Sequence, residues 1–211
     1  MILYKFIDAF FLNRFQVLKN FSRIEFMKTI REEKSETMKN ERPGAVAIQG
    51  KPLTLVGPRL EVGDRAPDFK VVNVALKEVT LGDLKKGVKI FSVIPSLDTP
   101  ICSTQAMRFS EESAKIEGVR CYTISMDLPF AMDRWCTLSR VDSFYMFSDH
   151  RDQDFGLAYG VLIKELRLLT RAVFIADSDN VLRYVEYCKD IYEHVDYSSS
   201  LEAARNLAKP S

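Results

Sequence analysis

VKIFSVIPSLDTPICS, residues 88–103, is the stretch from which the rest of the chain can be placed. Residues 88–94 form a short apolar run rich in β-branched side chains, the pattern of a strand buried on both faces. Thr99 then reads as a helix N-cap, because its hydroxyl can accept from an orphan amide of the first turn. Pro100 fits the first helical position, where no N–H is needed and a fixed φ suits the helix. Cys102 falls at the third helical position of a helix expected over residues 100–116. The positive end of a helix and its free N–H groups favour an anion, so a cysteine there is drawn toward the nucleophilic thiolate. A plainer reading stands beside this one: Cys102 as a small apolar residue opening a helix, and Thr99 as an N-cap with no further role.

Working outward, AVAIQGKPLTLVG (residues 45–57) reads as a β-hairpin with Gly50-Lys51-Pro52 at its turn. The loop 63–67 precedes a short strand, FKVVNV. VRCYTIS (119–125) is a second buried strand, residues 129–136 suggest a short helix, and SFYMFSD (143–149) a third strand. Residues 152–159 have helical spacing. AVFIAD and VLRYVEY flank the turn residues SDN and should pair as a hairpin, and residues 197–208 form a closing helix. Strands alternating with helices imply an α/β fold, a mixed sheet with helices on both faces. The order is compatible with a thioredoxin-like layout that carries an N-terminal hairpin.

The 211 residues suit one domain with an extension. Residues 1–44 read as N-terminal extension and linker, and residues 45–211 as the domain. Residues 1–38 are rich in Phe, Ile and Leu with interspersed Lys and Arg, but Lys5, Asp8 and Arg14 spoil the apolar core of a secretory signal. That segment is an extension without catalytic role, or upstream sequence with Met38 as the true start, or an amphipathic targeting or membrane-surface helix. Lys plus Arg number 30 against 29 acidic residues, and a net charge of +1 argues against a nucleic-acid or membrane-surface partner. No run of about 18 apolar residues occurs, so a membrane span is not expected. Among Cys102, Cys121, Cys136 and Cys188 there is no CxxC pair, and with only His150 and His194 there is no HExxH, so neither a metal site nor a bound cofactor is indicated.

Pro95, Thr99 and Cys102 together spell PxxxTxxC, and this signature in its wording PSLDTPICSTQ resembles the peroxiredoxins, the thiol peroxidase subfamily of atypical two-cysteine enzymes in particular. Further matching segments follow in order: GKPLTLVG (50–57), VGDRAPDF (62–69), SMDLPFA (125–131), Ser148-Asp149, Tyr159-Gly160-Val161 and LLTRAVF (168–174). The resemblance covers residues 45–211. It implies a peroxiredoxin version of the thioredoxin-like fold, with Cys102 as peroxidatic cysteine and Thr99 as the hydroxyl that contacts thiolate and peroxide. It implies Arg171 as the cation on thiolate and substrate, Pro95 as the shield of the thiol, and Cys136 as the resolving cysteine of an intrachain disulfide. Cys121, Cys188 and the histidines are assigned no role.

The implied chemistry is reduction of hydrogen peroxide or organic hydroperoxides through a Cys102 sulfenic acid, then a Cys102–Cys136 disulfide that thioredoxin or a similar dithiol reduces. A homodimer and a cytoplasmic, reducing location are further implications. Ala106 and Met107 stand where the subfamily commonly has more polar residues, which bears on partner or substrate preference. Two other classes compete: an inert scaffold of the same fold, and a thiol–disulfide oxidoreductase acting on proteins, which usually has the close CxxC pair absent here.

Overall fold

The structure, a computed structural model, describes residues 40–209. The readings made for the extension before residue 40, a targeting helix or an inert leader, lie outside the described residues. In chain order the strands are β1 (Glu41–Ile48), β2 (Lys51–Val56), β3 (Lys70–Asn73), β4 (Glu78–Thr80), β5 (Val88–Val93), β6 (Val119–Ser125) and β7 (Met146–Ser148). They continue with β8 (Leu162–Ile163), β9 (Leu168–Leu169), β10 (Ala172–Ala176) and β11 (Leu182–Tyr187). The helices are α1 (Pro100–Ala114), α2 (Pro129–Ser139), α3 (Asp154–Ala158) and α4 (Tyr197–Ala208).

The main sheet has the order β11-β10-β5-β6-β7-β3-β4. Its centre, β5-β6-β7, is parallel, and β10, β11, β3 and β4 join antiparallel. Every residue of β5 is buried, as the continuous apolar run requires. Alternate side chains serve opposite faces. Phe91 and Val93 enter a cluster with Phe69, Tyr122, Phe155, Tyr159 and Phe174, whereas Val88 and Ile90 meet Phe109 of α1 and Leu201 and Ala204 of α4. Lys89 is the charged member of the run, and its ammonium reaches back to the Gly87 carbonyl at 3.2 Å.

The N-terminal hairpin differs from expectation in two respects. Its turn is Gln49-Gly50, both with positive φ (50° and 77°), the left-handed pair that matches the twist of a two-residue hairpin. Lys51 and Pro52 therefore lie in β2, paired with Ile48 and Ala47. The strand also starts earlier than the polar linker composition suggests: Glu41 and Arg42 pair with Val56 and Leu55, and the register shifts before Val46, where Pro43 and Gly44 interrupt the ladder. The hairpin belongs to a second sheet, β1-β2-β8-β9.

Gly160 joins this sheet to the body. Its φ is +60°, and a Cβ there would stand 1.8 Å from the Pro58 carbonyl oxygen, so no other residue fits without moving backbone. Arg42 donates to the Gly160 carbonyl and, at 3.1 Å, to that of Gly57. Beyond β7, the buried Asp149 carboxylate accepts the amides of Phe155 (3.1 Å) and Gly156 (2.8 Å) and so fixes α3. Burial pushes that carboxyl up to about 7, against the pull of the two amides.

Candidate active site

The carboxyl ends of parallel strands leave a crevice where loops diverge, and reactive groups in open α/β sheets gather there. Residues 95–99 leave β5 at this end and turn into α1. Thr99 occupies the N-cap and Pro100 the first helical position, which puts Cys102 in the first turn as read from the sequence. One detail differs. The Thr99 side chain caps no amide; its hydroxyl donates to the Ser96 carbonyl at 3.2 Å, closing the turn that precedes the helix. Thr99 is exposed, so this hydroxyl can swing toward an incoming ligand.

Cys102 and Arg171 are each 1% exposed. The guanidinium Nη2 donates to Cys102 Sγ at 3.2 Å. Arg171 immediately precedes β10 rather than beginning it. Its other bonds fix the fork: Nη1 donates to Gln105 Oε1 at 2.6 Å, and Nε and Nη2 donate to the Ile191 carbonyl at 3.2 and 2.9 Å. A cation that donates to sulfur favours the thiolate as its acceptor, since charge-assisted hydrogen bonds are the stronger kind. A pocket of about 300 Å³ opens over these groups, lined by Pro95, Thr99, Cys102 and Arg171 together with Ile101 and Tyr192. Four of the five residues singled out from the sequence thus meet around one cavity.

The fifth, Cys136, does not line it. It lies on α2 in an apolar cluster with Cys102, Leu97, Ala106, Met132 and Trp135, and all four cysteines are free thiols. Burial, helped by Asp133 and Asp142, pushes the Cys136 thiol up to about 11. Cys121 and Cys188 are likewise pushed up to about 12 by burial. Trp135 Nε1 donates to Ser103 Oγ at 3.2 Å, a link between α2 and α1 one residue from Cys136 and one from Cys102.

Gln105 was not singled out from the sequence as a site residue. It stands one helical turn after Cys102 on the same face, which is the signal that could have found it. Its amide nitrogen donates to Ser92 Oγ at 3.0 Å and to the Val93 carbonyl at 3.3 Å, which leaves Oε1 aimed at Arg171. Gln105→Ala should lower peroxidase kcat/KM by about 10- to 100-fold, the scale of a misplaced catalytic group. Initial rates with hydrogen peroxide would show it, and an unchanged rate would remove Gln105 from any positioning role. The Ile191 carbonyl left no trace in the sequence, because any residue supplies one.

Comparison with known proteins identifies the family. The sequence profile of the AhpC/TSA family matches residues 62–185. A thiol peroxidase from Bacillus subtilis is 49% identical over 164 residues, covering 78% of this chain and 98% of that protein. One from Streptococcus pneumoniae strain R6 is 44% identical over 162 residues, covering 77% and 99%. The crystal structure of a peroxiredoxin-like protein from Aquifex aeolicus superposes with a TM-score of 0.72 at 41% identity, covering 78% of this chain and 97% of that one. The architecture is therefore the peroxiredoxin variant of the thioredoxin-like fold. The chain belongs to the AhpC/TSA family, as a peroxidase of the peroxiredoxin type.

Proposed function

We propose that Cys102 is the peroxidatic thiol of a two-cysteine cycle and that Cys136 resolves it. The observation that carries this reading is the 3.2 Å contact between Arg171 and Cys102 Sγ at the floor of the pocket. The thiolate attacks the terminal oxygen of ROOH, an S–O bond forms as the O–O bond breaks, and the alkoxide or hydroxide leaves and takes up a proton. Arg171 and the first-turn amides face the charge that develops on those oxygens. Thr99 turns its hydroxyl from Ser96 to the peroxide, and Pro95 keeps bulk water from the sulfur.

The sulfenic acid is then attacked by Cys136, which releases water and forms the disulfide. Cα atoms of a disulfide stand about 4.4–6.8 Å apart. Two thiols on intact helices must approach each other by local unwinding. The buried, protonated state of Cys136 suits this order of events, since it becomes a competent nucleophile only once opening exposes it. A dithiol such as thioredoxin exchanges with the disulfide and restores both thiols. Continual supply of that reductant favours a cytoplasmic setting. Among the described residues no helix is long and apolar enough to cross a membrane. A homodimer rests on the family resemblance alone.

Addition of one equivalent of hydrogen peroxide to the reduced protein, followed by digestion without reductant and mass mapping, tests the assignment. The expected product is a Cys102–Cys136 crosslink. A crosslink from Cys102 to Cys188, whose amide donates to the Arg171 carbonyl at 3.0 Å, would move the resolving role there. Four thiols left reduced for minutes would return the protein to the inert-scaffold reading.

A further inference from the structure

Asp127 has no part in the cycle above, yet its carboxylate ties together the two segments that carry the reactive cysteines. On one side it holds the loop that leads into α1: Ser96 Oγ donates to Oδ1 at 2.7 Å, and the Leu97 amide donates to Oδ2 at 2.7 Å. Ser125 Oγ, at the end of β6, adds a bond to Oδ2 at 2.8 Å. On the other side the chain runs from Asp127 through Leu128, the N-cap, directly into α2 and Cys136. The Asp127 carbonyl accepts from Ser148 Oγ of β7, itself 2.8 Å from His150 Nδ1, which anchors the clasp to the sheet.

The two steps of the cycle ask opposite things of this clasp. Peroxide attack needs the 95–99 loop held so that Pro95, Thr99 and Cys102 face the pocket. Disulfide formation needs the same loop, or the start of α2, to let go. We propose that Asp127 is a positioning residue that sets the partition between the closed, peroxide-reactive arrangement and the opened, disulfide-forming one. The inference rests on the reading of Cys136 as resolver. An ionised carboxylate suits the role because both oxygens accept and neither donates. An asparagine would turn a donor toward either the Ser96 hydroxyl or the Leu97 N–H.

Trp135 is the only tryptophan in the chain. Its bond to Ser103 makes its fluorescence a reporter of the separation of α1 and α2. Stopped-flow fluorescence after mixing with hydrogen peroxide, with dimedone trapping of sulfenic acid and mass mapping of quenched samples, resolves the two steps. For Asp127→Asn we expect Cys102 oxidation to slow by about fivefold or more and crosslink formation to quicken by about threefold or more, as loss of charge-assisted bonds to one state predicts. Ser96→Ala, which deletes one of the carboxylate's bonds along with the Asp98 amide's 3.2 Å bond to the same hydroxyl and keeps the carboxylate, should move both rates in the same opposite directions by a smaller factor, and it serves if Asp127→Asn does not fold. Both rates falling together, or neither changing, would overturn the proposal and leave Asp127 as ordinary support. A wild-type protein that never forms the Cys102–Cys136 crosslink would instead overturn the resolver reading, and this inference with it.

Discussion

Cys102→Ser is expected to lose peroxidase turnover by more than about 10³-fold, the scale seen when a covalent nucleophile is removed. A serine hydroxyl at this position is of similar size but is scarcely ionised near neutral pH, and it cannot form the sulfur–oxygen bond on which the next step depends. The serine hydroxyl can accept from Arg171 Nη2 as the sulfur does, so the fold should tolerate the change. Steady-state assay with a dithiol reductant, with circular dichroism as the control for folding, makes the check. Residual activity within about tenfold of wild type would show that another group attacks peroxide and that Cys102 is only a packed thiol.

Arg171→Lys carries the second large effect. A lysine keeps the charge but loses the planar fork that donates at once to sulfur, to Gln105 and to the Ile191 carbonyl. Loss of one aimed donor at a developing oxyanion typically costs about 10²–10³-fold in rate. The acceptors left behind are buried, so stability should fall as well, by about 2–4 kcal/mol for partners stranded without their cation. The split between the two effects is what identifies the role. A kcat/KM that falls 10²-fold at a temperature well below the melting transition assigns Arg171 to the reaction. A fall in melting temperature with unchanged kcat/KM would make it a core residue.

What could be read from the sequence was whatever local chemistry dictates. The buried strands β5 and β6 announce themselves by unbroken apolar runs, and Thr99-Pro100 announces the start of α1. The antiparallel hairpin β10–β11 follows from its turn residues. The sheet partition was not readable. β8 and β9 are two residues each, too short for any period; β8 reaches β2 from more than a hundred positions away, and β9 pairs with β8. The hairpin turn was misplaced because Pro52 is a strong turn signal, whereas Gln49-Gly50 satisfies the twist and leaves Pro52 opposite Ala47. At the site, the family motif brought out Cys102, Thr99, Pro95, Cys136 and Arg171. It did not bring out the groups that aim Arg171, because Gln105 and Ile191 act through partners brought in by the fold. The Thr99 hydroxyl took the Ser96 carbonyl in place of a helix amide, a choice between two nearby partners that composition does not decide.

The hydrogen-bond partners of the buried Arg171 are an amide oxygen, a backbone carbonyl and the sulfur of Cys102, with no carboxylate among them. In the proposed cycle the attacking Cys102 thiolate serves as the counter-ion of the guanidinium. On the proposed cycle, the first chemical step consumes it, since a sulfenic acid is neutral. The pocket is then left holding an enclosed cation whose anion has been titrated away by oxidation, an arrangement that costs several kcal/mol until water reaches it. In that cycle the chemistry at one sulfur would supply its own drive to open the site. On this reading the thermodynamic bias toward opening arises only after peroxide has been consumed.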